Sequence, residues 1–259
     1  MGDTMPSHLE PSELGTKEYQ TKKPFPSSWD NLYTTELTNN TSNPTDRGTV
    51  WFDDSDAEAK LLEFLDAQTT EPCSPSLSPL AQATTSFLDL GCGNGSLLFA
   101  LREEGWEGRC LGVDYSEKSV ALAKQIAQSD EREAVEFAVW DVFRSGYEAV
   151  LEGAQEAGWD VVLDKGTFDA ISLSEEKDSE GRRICEGYKG RIVKLVKEGG
   201  LFLVTSCNWT EAELEGWFGE SSASVEGGNF VKVGKVNYPS FSFGGVKGQT
   251  ISTLCFQRK

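Results

Sequence analysis

From Ser86 onward, short apolar runs alternate with amphipathic stretches. "SFLDL", "CLGVD", "VEFAVWD", "WDVVLDKG" and "LFLVTSC" read as strands, because each is a brief apolar run bounded by turn residues. Between them the spacing predicts helices over 95–104, 116–128 and 182–197. In the helix over 116–128, Ser116 is a candidate N-cap, and Val120, Leu122, Ala123 and Ile126 recur on one face. Strands alternating with helices of this length form a doubly wound parallel sheet. The C-terminal stretch "NFVKVGKVNYPSFSFGGVKGQTISTLCFQRK" breaks the pattern. It holds two alternating runs with no helix between them, which predicts an antiparallel hairpin closing an otherwise parallel sheet.

Before Ser86 the pattern is looser. Residues 1–13 read as a disordered tail, and 14–85 as an N-terminal extension on the substrate side, leaving 86–259 as the main domain. Within the extension a short helix is predicted from Ser28 to Leu37, followed by a polar loop, "TNNTSNPTDRG". Leu61, Leu62, Phe64 and Leu65 then make a helical stripe with Ser55 as candidate N-cap. The stretch "TTEPCSPSLSPLAQATT" reads as a Pro/Ser-rich linker that packs poorly.

Composition narrows the function classes. The 259 residues carry 24 Lys and Arg against 42 Asp and Glu, a formal charge of −18. Such a field repels nucleic-acid phosphates and anionic membranes and attracts basic partners. Six cysteines without a C-x-x-C pair resemble neither a disulfide framework nor a zinc site. The single histidine, His8, excludes His-based triads and His metal clusters, so no metal is expected. No apolar N-terminal segment or membrane-length run is present, which predicts an intracellular, reducing compartment.

The chemistry gathers at strand ends. "FLDLGCGNG" turns out of the first strand through Gly91, Gly93 and Gly95. Ligands of a doubly wound sheet bind at the carboxyl ends of its strands, and glycine lets the backbone approach them closely. The spacing is G-x-G-x-G, and Ser96 stands where a dinucleotide fingerprint wants Gly or Ala. Asp89, two residues before the first glycine, does not suit a pyrophosphate. It suits a cationic group such as the ammonium or sulfonium of S-adenosylmethionine, the alternative being a carboxylate that bonds turn amides. Asp114 ends the second strand with Tyr115 beside it, placed to accept both hydroxyls of a ribose, a role it would serve for NAD equally well. At the third strand's end, Asp141 is a candidate acceptor for an adenine amine, with Val142 or Phe143 against the ring. An ordinary strand-end capping role for Asp141 is as well supported. Together these residues match the class I S-adenosylmethionine-dependent methyltransferase pattern, an α/β Rossmann-like fold. Its seven-stranded sheet is mostly parallel and closed by a C-terminal antiparallel hairpin.

"WDVVLDKGTFDAISL", "VTSCNWTEAEL", "WDNLYTTEL" and "VWFDD" carry a more specific likeness. Over residues from about Leu14 to Phe256 the chain resembles the elongation factor methyltransferase 4 family. These are seven-strand protein-lysine methyltransferases acting on translation elongation factor 1-alpha. The chain departs from the family in the inserted "QTKKPFPSS" between Tyr19 and Trp29, in "WFDD" where "WFGE" is usual, and in a longer Pro/Ser linker. The resemblance implies a cytoplasmic monomer, with the nucleus left open, that takes S-adenosylmethionine and a basic protein substrate. It places Asp164 opposite the transferred methyl, with Trp209 as a catalytic partner. Trp51, Phe52, Phe168 and Asn208 then become candidate acceptor-binding residues, ordinary core packing being the alternative for each aromatic. Lys165 is expected to neutralise a nearby acid. Asp53, Asp54, Asp56 and Glu58 form either an acidic rim or a solvated helix start. A small-molecule or RNA methyltransferase and a non-catalytic S-adenosylmethionine-binding module remain open alternatives.

Overall fold

The computed structural model describes residues 27–129, 134–220, 225–238, 241–243, 246–248 and 250–259. The predicted tail at 1–13, His8 and most of the inserted stretch at 20–28 lie outside them. The apolar runs form β1 (Phe87–Leu90), β2 (Cys110–Asp114), β3 (Val135–Val139), β4 (Trp159–Lys165) and β5 (Val196–Ser206). After them come β6 (Phe230–Val236), the short β7 (Phe241–Phe243) and β8 (Val246–Gly248), and β9 (Ser252–Arg258). One seven-stranded sheet runs in the order β3-β2-β1-β4-β5-β9-β6. The strands β1 to β5 pair in parallel, while β9 lies antiparallel to both β5 and β6. The predicted closing hairpin is therefore β6 and β9. The residues between them add a separate two-stranded ribbon of β7 and β8.

Pleating sends alternate side chains to opposite faces, and both faces of a parallel sheet must be covered. Phe87, Val161, Leu163, Leu201 and Leu203 pack on one side, against α2 (Ala57–Ala67), α3 (Ser96–Glu103) and α4 (Glu117–Ser129). Leu88, Leu90, Val162, Phe202 and Val204 face α5 (Thr167–Leu173), α6 (Tyr188–Ile192) and α7 (Glu211–Phe218). The strand order reverses at β1, the switch point where such sheets open a crevice beyond their carboxyl ends. Among the described residues no helix is long and apolar enough to cross a membrane.

Four local expectations change. The helix predicted over 182–197 shrinks to a 3-10 turn at Ile184–Gly187 and the five-residue α6, and Val196 already belongs to β5. Gly187 and Gly190 each cost about 1 kcal/mol in a helix interior, which the flanking residues do not recover. Conversely α1 (Ser27–Ser42) continues into the first part of the expected polar loop. Asn40, 1% exposed, accepts from Gln125 of α4 at 2.6 Å, so a tertiary contact overrides weak local propensity. Ser55 does not cap α2; it sits in a 3-10 turn, and Asp56 takes the N-cap position in the left-handed region at φ 54°. The Pro/Ser-rich segment packs after all, laying Leu77 and Leu80 against the core.

Candidate active site

A cavity of about 1230 Å³, counted out to its mouth, opens at the carboxyl ends of the parallel strands. Its floor begins at the glycine turn. Gly91, Gly93 and Gly95 take φ of 64°, 57° and 83°, the left-handed region that glycine enters without penalty. There is no room for a side chain either. A Cβ on Gly91 would stand 2.1 Å from Thr167 Oγ1, and one on Gly95 would stand 2.6 Å from the Phe137 ring. Gly91 lines the cavity, whereas Gly93 and Gly95 lie behind it and hold the turn. The Gly93 amide donates to Asp114 Oδ2 at 3.2 Å, which ties the turn to the end of β2.

Acids concentrate here with few cations. Asp89 is 3% exposed, and among the described residues no donor hydrogen-bonds its carboxylate. Burial pushes its carboxyl up to about 8; Lys165 pulls it down, and Glu58, Asp164 and Asp114 push it further up. A buried carboxylate without a donor is costly unless a cation or donor arrives. Asp89 does not line the cavity itself but stands one residue before Leu90 and two before Gly91, which do. Asp114 lines the cavity and is pushed up to about 6, chiefly by burial. Its Oδ1 accepts from the Ser116 amide at 2.9 Å and its Oδ2 from Ser119 Oγ at 2.9 Å. Those bonds fix the carboxylate in place. Tyr115, Val142 and Phe143 supply apolar wall beside it. Asp141 also reaches the cavity, yet its hydrogen bonds are those of a strand-end cap. Its Oδ1 accepts from the amides of Phe143 at 2.8 Å and Arg144 at 3.0 Å, and its Oδ2 pairs with Arg144 at 3.3 Å.

The N-terminal extension forms a roof that reaches the glycine turn itself, Tyr33 Oη standing 3.0 Å from where a Gly93 Cβ would lie. Trp51 and Phe52 line the cavity, joined by Trp29 and Tyr33 of α1. Trp29 meets Trp51 edge to face with ring centroids 4.8 Å apart. Phe52 holds φ 63°, unusual for a bulky residue. Lys165 neutralises an acid, as expected: Nζ lies 3.3 Å from Glu58 Oε1 and donates to the Trp51 carbonyl at 3.2 Å. Ser96 Oγ donates to the same Glu58 oxygen at 2.6 Å, so glycine turn, β4 and roof share one polar knot. Glu58 thus turns inward, while Asp53, Asp54 and Asp56 stay exposed.

Three expectations about the acceptor end are corrected. Asp164, 1% exposed, does not line the cavity. It pairs in register with Leu90, shares that residue's face of the sheet, and meets its partners inside the protein. Its oxygens accept from the amides of Thr167 at 2.8 Å and Phe168 at 3.1 Å, and from Tyr188 Oη at 2.6 Å. Phe168 is fully buried among Tyr188, Trp217 and Phe218. Trp209 packs beside Phe168 and donates from Nε1 to Ser172 Oγ at 2.9 Å, also away from the cavity. Asn208 does line it. The residues that sequence reasoning missed are Asp169, in the same "DKGTFD" stretch, and Trp29 and Tyr33. The four-residue spacing of Trp29 and Tyr33 on one helix face was the available signal.

The donor set suits S-adenosylmethionine. Asp114 would accept its ribose hydroxyls and the wall of Val142 and Phe143 would take its adenine, while Asp89 stands next to the cavity, behind Leu90 and Gly91, as the nearest buried acid for its ammonium.

Residues 81–242 match a family model described as a methyltransferase domain. The chain is 37% identical over 252 residues to protein-lysine N-methyltransferase EFM4 of Saccharomyces cerevisiae, covering 97% of each. It is 31% identical over 248 residues to EEF1A lysine methyltransferase 2 of Homo sapiens, covering 96% of this chain and 88% of that one. Among solved structures, magnesium protoporphyrin IX methyltransferase (ChlM) from Synechocystis PCC 6803 with bound SAM has the same fold. Its TM-score is 0.53 at 17% identity, over 88% of this chain and 97% of that one.

Proposed function

The chain belongs to the protein-lysine methyltransferase family that includes EFM4 and EEF1A lysine methyltransferase 2, and from that membership we propose that it methylates a lysine of translation elongation factor 1-alpha in the cytoplasm. S-adenosylmethionine, when bound, supplies a methyl group on a positively charged sulfur. The protein supplies position and environment. Asp114 keeps lone pairs for the ribose hydroxyls, since three donors do not exhaust a carboxylate. Asp89 offers charge to the cofactor's ammonium, and Tyr115, Val142 and Phe143 flank the adenine. The aromatic roof of Trp29, Trp51 and Phe52 excludes water from the cavity. A free lysine holds its proton up to a pKa of about 10.4, and an apolar enclosure disfavours the ammonium form. The roof therefore favours the neutral amine that attacks, and alignment supplies much of the remaining rate.

The observation that carries this reading is one cavity lined by two chemistries. The glycine turn and buried strand-end carboxylates make its floor, and the aromatic side chains of the N-terminal extension stand over it. The test is incubation with labelled S-adenosylmethionine and recombinant elongation factor 1-alpha, then mass spectrometry of the peptides. A mass increment of one labelled methyl group on one lysine, or a multiple of it, is expected. Label entering only RNA or small molecules would overturn the reading, and so would cofactor binding without transfer to any substrate.

A further inference from the structure

We infer that Asp169 is the residue that receives the acceptor amine, holding the lysine nitrogen through an N–H so that its lone pair faces the methyl group. This rests on the lysine-methyltransferase reading above.

Of the two acids in "DKGTFD", the structure turns one inward and one outward. Asp164 anchors the start of α5 through the amides of Thr167 and Phe168, and Thr167 Oγ1 donates to the Leu90 carbonyl at 2.6 Å. With that turn fixed, the first turn of α5 carries Asp169 onto the cavity wall. Asp169 is 3% exposed, so whatever it meets there is shielded from bulk water.

Its own partners fix it in place. Ser206 Oγ donates to Oδ1, and the Cys207 amide donates to Oδ2 at 2.8 Å. Ser206 Oγ in turn accepts from the amides of Asn208 at 3.1 Å and Trp209 at 2.9 Å, wrapping the loop after β5 around the carboxylate. The Cys207 thiol and the Asn208 amide also approach the carboxylate, so it is rigidly held, and it still forms part of the cavity wall. Among the described residues no lysine or arginine forms an ion pair with Asp169. A buried acid on the cavity wall with no paired cation suits a substrate cation or amine. A second polar group waits beside it: Asn208 lines the same cavity, and its buried Nδ2 has no hydrogen-bond partner among the described residues. Buried polar groups left unpaired are rare and call for a ligand or water.

The charge flow of the reaction gives Asp169 its use. The lysine sheds one proton to solvent before it is enclosed. Its nitrogen lone pair then forms the N–C bond as the S–C bond breaks, with that electron pair returning to sulfur. Positive charge thus moves from sulfur to nitrogen, and the product is a methylated ammonium beside a neutral thioether. A fixed carboxylate next to the nitrogen is worth more in the transition state than before it, which is the condition for raising kcat.

The test uses the full-length chain, labelled S-adenosylmethionine and recombinant elongation factor 1-alpha, with S-adenosylhomocysteine affinity measured by calorimetry on the same preparations. Asp169→Asn is expected to lower turnover per folded molecule about a hundredfold or more, with S-adenosylhomocysteine affinity within about twofold of wild type. Asp164→Asn, which weakens the anchor at the start of α5, should lose thermal stability. Asn208→Ala, which breaks no internal side-chain bond of Nδ2, keeps the test open should Asp169→Asn not fold. It should cut turnover about tenfold with cofactor affinity intact. Near-normal turnover in Asp169→Asn or, if that variant does not fold, in Asn208→Ala overturns the inference. So does a loss that merely tracks cofactor affinity. A wild-type enzyme inert on the elongation factor and on lysate proteins removes the underlying reading, and this inference with it.

Discussion

Asp89 holds a proton near neutral pH because burial and three neighbouring acids push its carboxyl up to about 8. A cationic ligand favours the charged form, so binding near pH 7 expels that proton, and affinity strengthens as pH rises toward 8. Calorimetry of S-adenosylhomocysteine at pH 7 in buffers of different ionisation enthalpy should report this release. Asp89→Asn should abolish the release and weaken binding. Equal proton release by wild type and variant would take Asp89 out of the cofactor site. Asp164 follows a different logic. Its carboxyl is pushed up to about 7 by burial, against an ordinary value near 3.8. A group whose folded value is raised stabilises most below its unfolded value, and that stability is lost as pH rises through the folded value. The wild type therefore loses stability between about pH 4 and pH 7 on account of Asp164. Asp164→Asn lacks that slope but leaves at least one of three donors without its acceptor, a cost of about 1–3 kcal/mol. Denaturant melts should show the variant less stable, with a gap that narrows from pH 5 to pH 8.

The element that decides the site's shape is the N-terminal extension. Its α1 packs along α4, with Gln125 reaching Asn40, and Ser116 Oγ donates to Asp30 Oδ1 at 2.5 Å. Asn94 of the glycine turn donates to the carbonyls of Arg47 at 2.9 Å and Thr49 at 3.2 Å. The extension is thus bonded to the same turn that forms the cofactor floor. Lys165 is the shared cation of this arrangement, 11% exposed in its side chain, lying between Glu58 and Asp89. Glu58→Gln removes the ion-pair partner of Lys165, whose charge then acts more strongly on Asp89 and competes with the cofactor's ammonium. S-adenosylhomocysteine affinity should fall about tenfold, and thermal stability should drop as expected when one partner of a near-buried pair is removed. Unchanged affinity in a destabilised variant would separate the roof from the cofactor floor.

At the scale of the whole molecule, the charge of −18 sets how a basic protein arrives. Attraction over the Debye length, about 10 Å at 0.1 M salt, speeds encounter and is screened as salt rises. KM for elongation factor 1-alpha should therefore climb between 50 and 300 mM salt, by roughly several-fold, with kcat and cofactor affinity steady. A salt-independent KM would mean that the acidic surface does not steer this substrate.

Local chemistry determined much of this protein. The strands follow from short apolar runs, the glycine turn from residues that accept positive φ, and the strand-end acids Asp89, Asp114 and Asp141 from where those runs stop. Each depends on neighbours a few residues away, so each was legible in the sequence. The facing of Asp164 and Asp169 was not. They stand five residues apart in one polar stretch, and which of them meets the cavity depends on the register of β4 against β1 and on the point where α5 starts. Nor could the chain reveal that Trp29 and Tyr33 complete a cavity whose other wall lies more than 100 residues later, at Asp169 and Asn208. Phe168 and Trp209 carry the same lesson in reverse. Their aromatic character fits an acceptor channel or a core equally well, and the packing of Tyr188, Trp217 and Phe218 around Phe168 decided for the core. Sequence spacing sets what a residue can do, and side-chain direction, which only the tertiary packing supplies, sets what it touches.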